Sequence, residues 1–137
     1  MEHGYSQTPL ARKLGIKEGN MILLVNAPSH YYDLFADFPE NVIVNNNPTT
    51  ESLDFIHLFC TTHEMLENET HRLKPFLKKA GMLWVSWPKG ASKIETDLNR
   101  DSIREYILTK VRLVDIKVAA IDADWSGLKF VYRTKDR

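Results

Sequence analysis

Two lysines in one short loop, Lys89 and Lys93, are the side chains whose type and spacing best suit ligand chemistry. They follow an apolar segment, Met82 to Trp87, which predicts a buried strand ended by Pro88. Ligands of open α/β sheets bind outside the carboxyl ends of the strands, so ammonium groups there can meet a phosphate or a carboxylate. Asp97, later in the loop, can act as a base or orient the ligand. The alternative is a solvated loop without a ligand.

Three more residues are predicted at the same edge of the sheet. Asn26 ends another apolar segment, Trp87 ends the segment before the lysine loop, and Trp125 lies in the turn Asp122 to Gly127. An exposed Trp125 would be a recognition residue, because aromatic side chains concentrate binding energy at interfaces. The favoured alternative is that Trp125 packs back on the sheet, since tryptophan is highly buried on average. Asn26, Trp87 and Trp125 complete the candidate ligand-binding set, whose partner would be a small anion or a protein.

Two other groups of residues are read as structural. His63, Glu67 and His71 are spaced four apart, so one helix face can present all three as metal ligands. That face points away from the leucines of the same segment, which predicts an exposed polar face and no metal site. Cys60 ends an apolar strand and is expected to be buried and inert, with His57 on the opposite face. No catalytic residue is assigned.

Composition limits the class of protein. Lys and Arg total 18 and Asp and Glu total 18 in 137 residues, so the chain lacks the basic excess of a generic nucleic-acid binder. A single cysteine excludes an internal disulfide framework. No apolar run approaches the ~20 residues of a membrane span, and no secretory signal precedes the first predicted element. We expect a cytoplasmic protein.

Helices and strands alternate along most of the chain, and residues 1–137 are predicted to form one domain. Thr8 and Pro9 should begin the first helix and Gly15 should end it, while Pro75 should kink or restart the long third helix before Gly81 ends it. The predicted helices are Leu10 to Leu14, Ser29 to Ala36, Thr62 to about Lys79, and Arg100 to Leu108 with Asn99 as its cap. The predicted strands are Asn20 to Asn26, Val42 to Val44, Leu53 to Cys60, Met82 to Trp87, Leu113 to Ile121 and Leu128 to Arg133.

This order predicts an α/β fold, a doubly wound and mainly parallel sheet. The last two strands are joined by a short loop containing Gly127, which predicts a C-terminal antiparallel hairpin. That combination is the pattern of a reduced class I methyltransferase fold, with one helix and one strand fewer than the full fold.

Three stretches carry a family resemblance: TPLARKLGIKEG, GMLWVSWPKGAS and VDIKVAAIDADWSGLKFVYR. The chain resembles, over nearly its whole length, a bacterial domain-of-unknown-function family with a Rossmann-like, reduced class I methyltransferase core. The resemblance implies the fold and brings no catalytic residues with it.

The residues after the first two predicted strands do not fit a methyltransferase cofactor site. The turn after the first strand is Asn26-Ala27-Pro28, whereas a nucleoside cofactor is normally cradled by a Gly-rich turn, and no glycine occurs between Gly19 and Gly81. The second strand ends in asparagines, not in an acid for the ribose hydroxyls. We therefore expect a non-catalytic domain that binds a small ligand or a protein, without a cofactor. The alternative is an S-adenosylmethionine-dependent methyltransferase with a diverged cofactor site.

Overall fold

A six-stranded sheet organises residues 9–137, the part of the chain that this computed structural model describes. The strands are β1 (Met21–Val25), β2 (Ile43–Val44), β3 (Leu53–Phe59), β4 (Leu77–Pro88), β5 (Leu113–Ala120) and β6 (Trp125–Tyr132). Their order in the sheet is β2-β1-β3-β4-β6-β5. The first four strands are parallel, and β6 runs antiparallel to both β4 and β5. The predicted mainly parallel α/β fold with a C-terminal antiparallel hairpin is confirmed.

The central strands are apolar because both faces of the sheet are covered. Ile56 and Leu58 of β3 face the helices α2 (His63–Leu73) and α3 (Arg100–Tyr106). Phe55 and Phe59 face the other way, toward α1 (Leu10–Leu14) and a 3₁₀ turn, Tyr31–Leu34. A strand buried on both sides has no polar face, which explains the continuous apolar runs in the sequence.

The long helix predicted from Thr62 to about Lys79 extends about six residues beyond the observed end of α2. α2 ends at Leu73, a 3₁₀ turn containing Pro75 follows, and β4 already begins at Leu77. Proline cannot donate the next helical hydrogen bond, and Leu77 pairs instead with Leu53 of β3. Gly81 therefore does not end a helix. It lies within β4, where the register between β3 and β4 shifts.

The helix predicted for Ser29 to Ala36 is also wrong, because only the 3₁₀ turn forms there. Long-range aromatic packing explains the difference: the ring centroid of Tyr31 lies 5.4 Å from that of His57 and 5.9 Å from that of Phe59, both in β3. These contacts hold the segment against the sheet in a conformation that a regular helix does not provide.

Other helix boundaries follow the local signals. Gly15 ends α1 in the left-handed conformation at φ +91°, and Pro9 stands at the N-cap position. The predicted cap, Thr8, lies outside the described residues. Asn99 caps α3 and exchanges hydrogen bonds with Ser102 in a capping box, as its residue type predicts. After Tyr106 a π-helical turn, Ile107–Val111, leads into β5.

The C-terminal hairpin begins its second strand earlier than predicted, at Trp125 rather than Leu128. The backbone N–H of Ile121 donates to the carbonyl of Trp125 at 2.9 Å and closes the turn. β5 is an edge strand, so Ile116 and Val118 are exposed despite their apolar side chains. Within residues 9–137, no helix has the length and hydropathy to cross a membrane.

Replacing Gly81 by alanine should destabilise the fold. A Cβ there would lie 2.9 Å from both the carbonyl oxygen of Leu53 and a methyl of Leu77. We expect Gly81→Ala to lower the free energy of unfolding by about 1–3 kcal/mol, the range of overpacked core substitutions. Gly90→Ala is the matched control, since a Cβ there meets nothing within 4 Å and its effect should stay within about 0.5 kcal/mol. Equal urea midpoints for the two variants would contradict the tight packing at Gly81.

Candidate functional site

The carboxyl ends of β1, β3 and β4 meet at one edge of the sheet, where the candidate residues were predicted. β1 has a parallel neighbour on each side, β2 and β3, so the chain winds in opposite directions from β1. The crevice between the ends of β1 and β3 is the switch point at which ligands of such sheets bind.

Asn26 crosses this crevice. Its backbone is left-handed at φ +59°, a conformation that few residues other than glycine adopt readily. Its side-chain amide donates to the carbonyl oxygen of Phe59, 3.4 Å away, and lies 3.5 Å from the sulfur of Met65. These are long contacts, and the side chain is exposed. Asn26 thus supplies the turn geometry that the missing glycine would give, and its side chain bridges β1 to β3.

Asp97 caps a helix. One carboxylate oxygen accepts the backbone N–H of His63, the first residue of α2, at 2.9 Å. Thr62 caps the same helix by accepting the N–H of Met65 at 3.1 Å. Thr96 donates to the carbonyl of Thr61 at 2.7 Å and joins the loop to the end of β3. Asp97 therefore supplies the negative charge that the helix N-terminus favours. Its role as a base or in orienting a ligand stays a prediction.

Lys89 and Lys93 lie in a loop that is pinned by its backbone. The N–H of Lys89 donates to the carbonyl of Asp124 at 2.8 Å, and the N–H of Ser92 donates to the carbonyl of Lys89 at 3.0 Å. Lys93 is exposed and Lys89 is half-buried. Within the described part of the chain, neither ammonium group forms an ion pair. The loop can thus present two cations at the carboxyl edge.

The two tryptophans do not join these lysines at a surface. Trp87 is 8% exposed and packs with α2 and α3, whereas Trp125 is 9% exposed and packs on the opposite face of the sheet. The Trp125 ring meets the Phe59 ring edge-on at 5.0 Å. Both side chains are core residues, because Trp87 of β4 points to one face of the sheet and Trp125 of β6 points to the other. The packing alternative for Trp125 agrees with this arrangement, and a recognition role does not.

The residues read as structural have ordinary surroundings. Burial raises the pKa of the Cys60 thiol to about 12, and Glu69 adds to that effect, so the thiol is not a nucleophilic thiolate at neutral pH. His71 shares a 2.7 Å hydrogen bond with the hydroxyl of Tyr106. Among residues 9–137, no three metal-ligating side chains come together.

The sequence did not predict a chain of hydrogen bonds between three buried polar side chains. The hydroxyl of Tyr31 lies 2.9 Å from Nδ1 of His57, and Nε2 of His57 lies 2.7 Å from the hydroxyl of Ser86. All three residues are buried. They come from the 3₁₀ turn, β3 and β4, so no local spacing brings them together. Period-two alternation places His57 on the face of Phe55 and Phe59, which is the only signal in the sequence.

Burial keeps this chain uncharged. Desolvation lowers the pKa of His57 to about 3 and raises the pKa of Tyr31 far above its usual range. A neutral imidazole has one donor and one acceptor nitrogen. Either Tyr31 donates to His57 and His57 donates to Ser86, or the donors run in the reverse direction. The hydrogen-bonded side chains of Tyr31, His57 and Ser86 are closed to solvent. They therefore stabilise the packing under the carboxyl edge rather than act on a ligand.

Two cavities lie away from the carboxyl edge. One, of about 560 Å³, lies beside α1 and is lined by Gly15, Lys17 and Phe38 among others. The second, of about 450 Å³, lies between α3 and the exposed face of β5 and includes Arg104 and Val118. None of the six predicted site residues lines either cavity.

The fold is shared with several solved methyltransferases. A SAM-dependent methyltransferase from Aquifex aeolicus is 17% identical, with 88% of this chain and 86% of that chain covered and a TM-score of 0.56. A protein described as a type 11 methyltransferase from Sulfolobus solfataricus is 19% identical, with 91% and 90% covered and a TM-score of 0.58. The fibrillarin pre-rRNA processing protein of Methanococcus jannaschii is 18% identical, with 85% and 68% covered and a TM-score of 0.52.

No protein-family model and no curated protein matches the sequence. At these identities the structural likenesses show the fold alone, a Rossmann-like class I methyltransferase fold. The bacterial family named above stays a resemblance.

The neutral His57 should make the fold sensitive to mild acid. Its pKa is lowered in the folded state, so the unfolded chain takes up a proton below pH 6.5 that the folded chain refuses until about pH 3. Stability contributed by His57 is thus complete above pH 6.5 and declines as the pH falls toward 3. Between pH 7 and pH 5 the loss should be about 2 kcal/mol.

The non-titrating variant His57→Gln isolates this effect, because carboxylates and the remaining histidines titrate in both proteins. Urea unfolding at pH 7, 6 and 5 should show a free energy of unfolding that falls less steeply in the variant. Identical pH slopes for the two proteins would show that His57 is not held neutral.

Proposed function

We propose that this chain binds a small anionic ligand at the carboxyl edge of its sheet without transferring a methyl group. The observation that carries the proposal is the pinned loop that holds Lys89 and Lys93 beside the ends of β4 and β6. Its backbone is fixed by the carbonyl of Asp124, so only the two lysine side chains, and not the loop itself, lose conformational freedom when an anion binds. Lysine is a compact, strongly hydrated charge that suits phosphate or carboxylate groups.

The crevice at the switch point supports a role without methyl transfer. The Asn26 side chain spans it, Pro28 removes a backbone donor from the turn, and the helix that would follow is reduced to the 3₁₀ turn Tyr31–Leu34. A cofactor with a nucleoside and a charged tail needs close backbone approach at this turn. The end of β2 offers Asn45 in place of a carboxylate, and the backbone N–H of Asn47 already donates to its side-chain oxygen at 2.9 Å.

The second candidate function is S-adenosylmethionine-dependent methyl transfer through a diverged site. The shared fold with a SAM-dependent methyltransferase favours it, and that fold match supports the second candidate better than the first. Asn26 also adopts the left-handed turn conformation, and its long contacts to Phe59 and Met65 are weak enough for a ligand to displace. Under this candidate the cofactor lies in the crevice between β1 and β3.

Calorimetry separates the two candidates. Under the first candidate, S-adenosylmethionine and its demethylated product should give no isotherm tighter than ~100 μM, which corresponds to about −5.5 kcal/mol. A clear isotherm below that value would favour the second candidate. Asn26→Ala serves as the site control, because a ligand in the crevice must meet this residue. An isotherm unchanged by Asn26→Ala would place the cofactor elsewhere.

Removing both lysine charges tests the anion site directly. Titrations with citrate and with inorganic phosphate, followed by the backbone amide signals of Gly90 and Ser92, should show binding that weakens about tenfold in Lys89→Ala with Lys93→Ala. The melting temperature should change little, since exposed lysines rarely stabilise a fold by more than a few tenths of a kcal/mol. Unchanged anion binding in the double variant would reject this site, and an unfolded variant would show that the lysines are structural.

A further inference from the structure

A second group of cations gathers at the opposite end of the sheet, around the ring of Tyr132. The ammonium group of Lys79 lies 4.5 Å from the ring centroid, and that of Lys74 lies 5.4 Å from it. Lys74 follows α2, Lys79 lies near the start of β4, and Tyr132 ends β6. This end of β4 is the amino edge of the parallel sheet, so the group is separate from the loop that carries Lys89.

Two arginines join this group through the β5–β6 ladder. The β5–β6 ladder ends at the pair Leu113 and Tyr132, and Arg112 and Arg133 are the next residues in the chain beside that pair. Both arginines lie close enough to Lys74 to repel its charge, which is unfavourable for the fold. The chain nevertheless places four cations here, Lys74, Lys79, Arg112 and Arg133, which we call the Tyr132 cluster.

Parts of the cluster are held in place by backbone groups. Lys74 donates to the carbonyl of Val111 at 2.5 Å, and Arg133 donates to the carbonyl of Leu108 at 2.9 Å. Arg137 also donates to the carbonyl of Tyr132 at 3.1 Å. Cations that are already fixed lose less conformational entropy when a ligand binds.

The cluster is electrostatically strained within the protein. Burial lowers the pKa of Lys74, and repulsion from Lys79, Arg112 and Arg133 lowers it further, whereas Asp136 opposes the shift. Glu51 is the other carboxylate that acts on Tyr132 besides Asp136. The cations around Lys74 and Tyr132 thus outnumber Glu51 and Asp136, the two carboxylates that act on them.

Arg112 adds a second kind of strain. Its φ of +69° lies in the left-handed region, where glycine is at ease and an arginine pays a steric cost. The position closes the π-helical turn, a task that glycine performs well. Backbone strain of this kind clusters at functional sites, which agrees with a ligand site at the cluster.

We propose that the Tyr132 cluster binds an anion that carries two adjacent phosphate groups. Guanidinium groups recognise phosphate with paired hydrogen bonds, and the two ammonium groups supply further charge. Four cations neutralise fewer phosphates than the roughly 6–10 contacts made by proteins that bind nucleic acid with a steep salt dependence, so a small anion fits the cluster better. The site lies away from the carboxyl edge, so it does not depend on the function proposed there.

Isothermal titration with inorganic pyrophosphate tests the site in the full chain. The test variant is Lys79→Gln with Arg112→Gly, which removes two charges and places glycine where φ is positive. We expect pyrophosphate to bind the parent protein and to bind the variant about tenfold more weakly. Because glycine relieves the strain at position 112, the variant should melt no lower than Lys79→Gln alone, so that lost binding cannot be attributed to unfolding.

The matched control is Arg12→Gln with Lys17→Gln, which removes two exposed charges at and just after α1 and should change pyrophosphate affinity by less than about twofold. All titrations use proteins that also carry Lys89→Ala and Lys93→Ala, so that an anion at the carboxyl edge does not contribute. Equal weakening in both double variants would reduce the effect to net charge and overturn the proposal. A parallel titration with adenosine diphosphate identifies the recognised group. Similar affinity for both ligands supports diphosphate recognition. Binding of adenosine diphosphate without binding of pyrophosphate would overturn the proposal. Binding of a short RNA without binding of pyrophosphate would overturn it as well.

Discussion

Burial of the sheet on both faces is the constraint on which the rest of this structure depends. β3 has no exposed face, so each of its side chains must find cover on one side or the other. Amphipathic helices cover one side in the usual way, with Leu66 and Ile103 facing the sheet. On the other side the helix after β1 has shrunk to a 3₁₀ turn, and bulky rings take its place. Tyr31 and Trp125 fill the volume over Phe59 that a longer helix would otherwise cover.

This substitution explains why a histidine stands in the middle of the sheet. His57 faces the aromatic side, stacks on Phe59 at 4.3 Å, and has no access to water. A buried imidazole is tolerated only if both nitrogens have partners. The hydroxyls of Tyr31 and Ser86 supply them, so the polar chain and the aromatic layer require each other. The same turn that carries Tyr31 follows Asn26, so the shape of the switch-point crevice is tied to the packing beneath it.

Local signals in the sequence predicted most elements of the fold, and long-range contacts decided where the prediction was wrong. The capping pattern at Asn99 and the stop at Gly15 are chemical properties of a few adjacent residues, and both were predicted. The start of β4 at Leu77 depends on its pairing with Leu53, which lies on another strand. The aromatic turn depends on rings that meet only in the folded chain. Lys89 and Lys93 are close in sequence, so their place in one loop could be predicted. Trp87 and Trp125 were predicted at one surface with them, but the two tryptophans are buried on opposite faces of the sheet.

Net charge is a poor guide to the local distribution of charge in this fold. The balance of 18 basic and 18 acidic residues argues against a generic nucleic-acid partner and says nothing about local fields. Strand pairing brings together residues that are distant in sequence: Lys79 of β4 lies over the ring of Tyr132, the residue before Arg133. Several carboxylates have structural roles: Asp97 caps α2, and the two carboxylate oxygens of Asp115 share the Nε–H of Arg104. Because these carboxylates are engaged in structural contacts, equal numbers of acidic and basic residues still leave an excess of cations at the two ends of the sheet. Those two ends are where we expect an anionic ligand to bind.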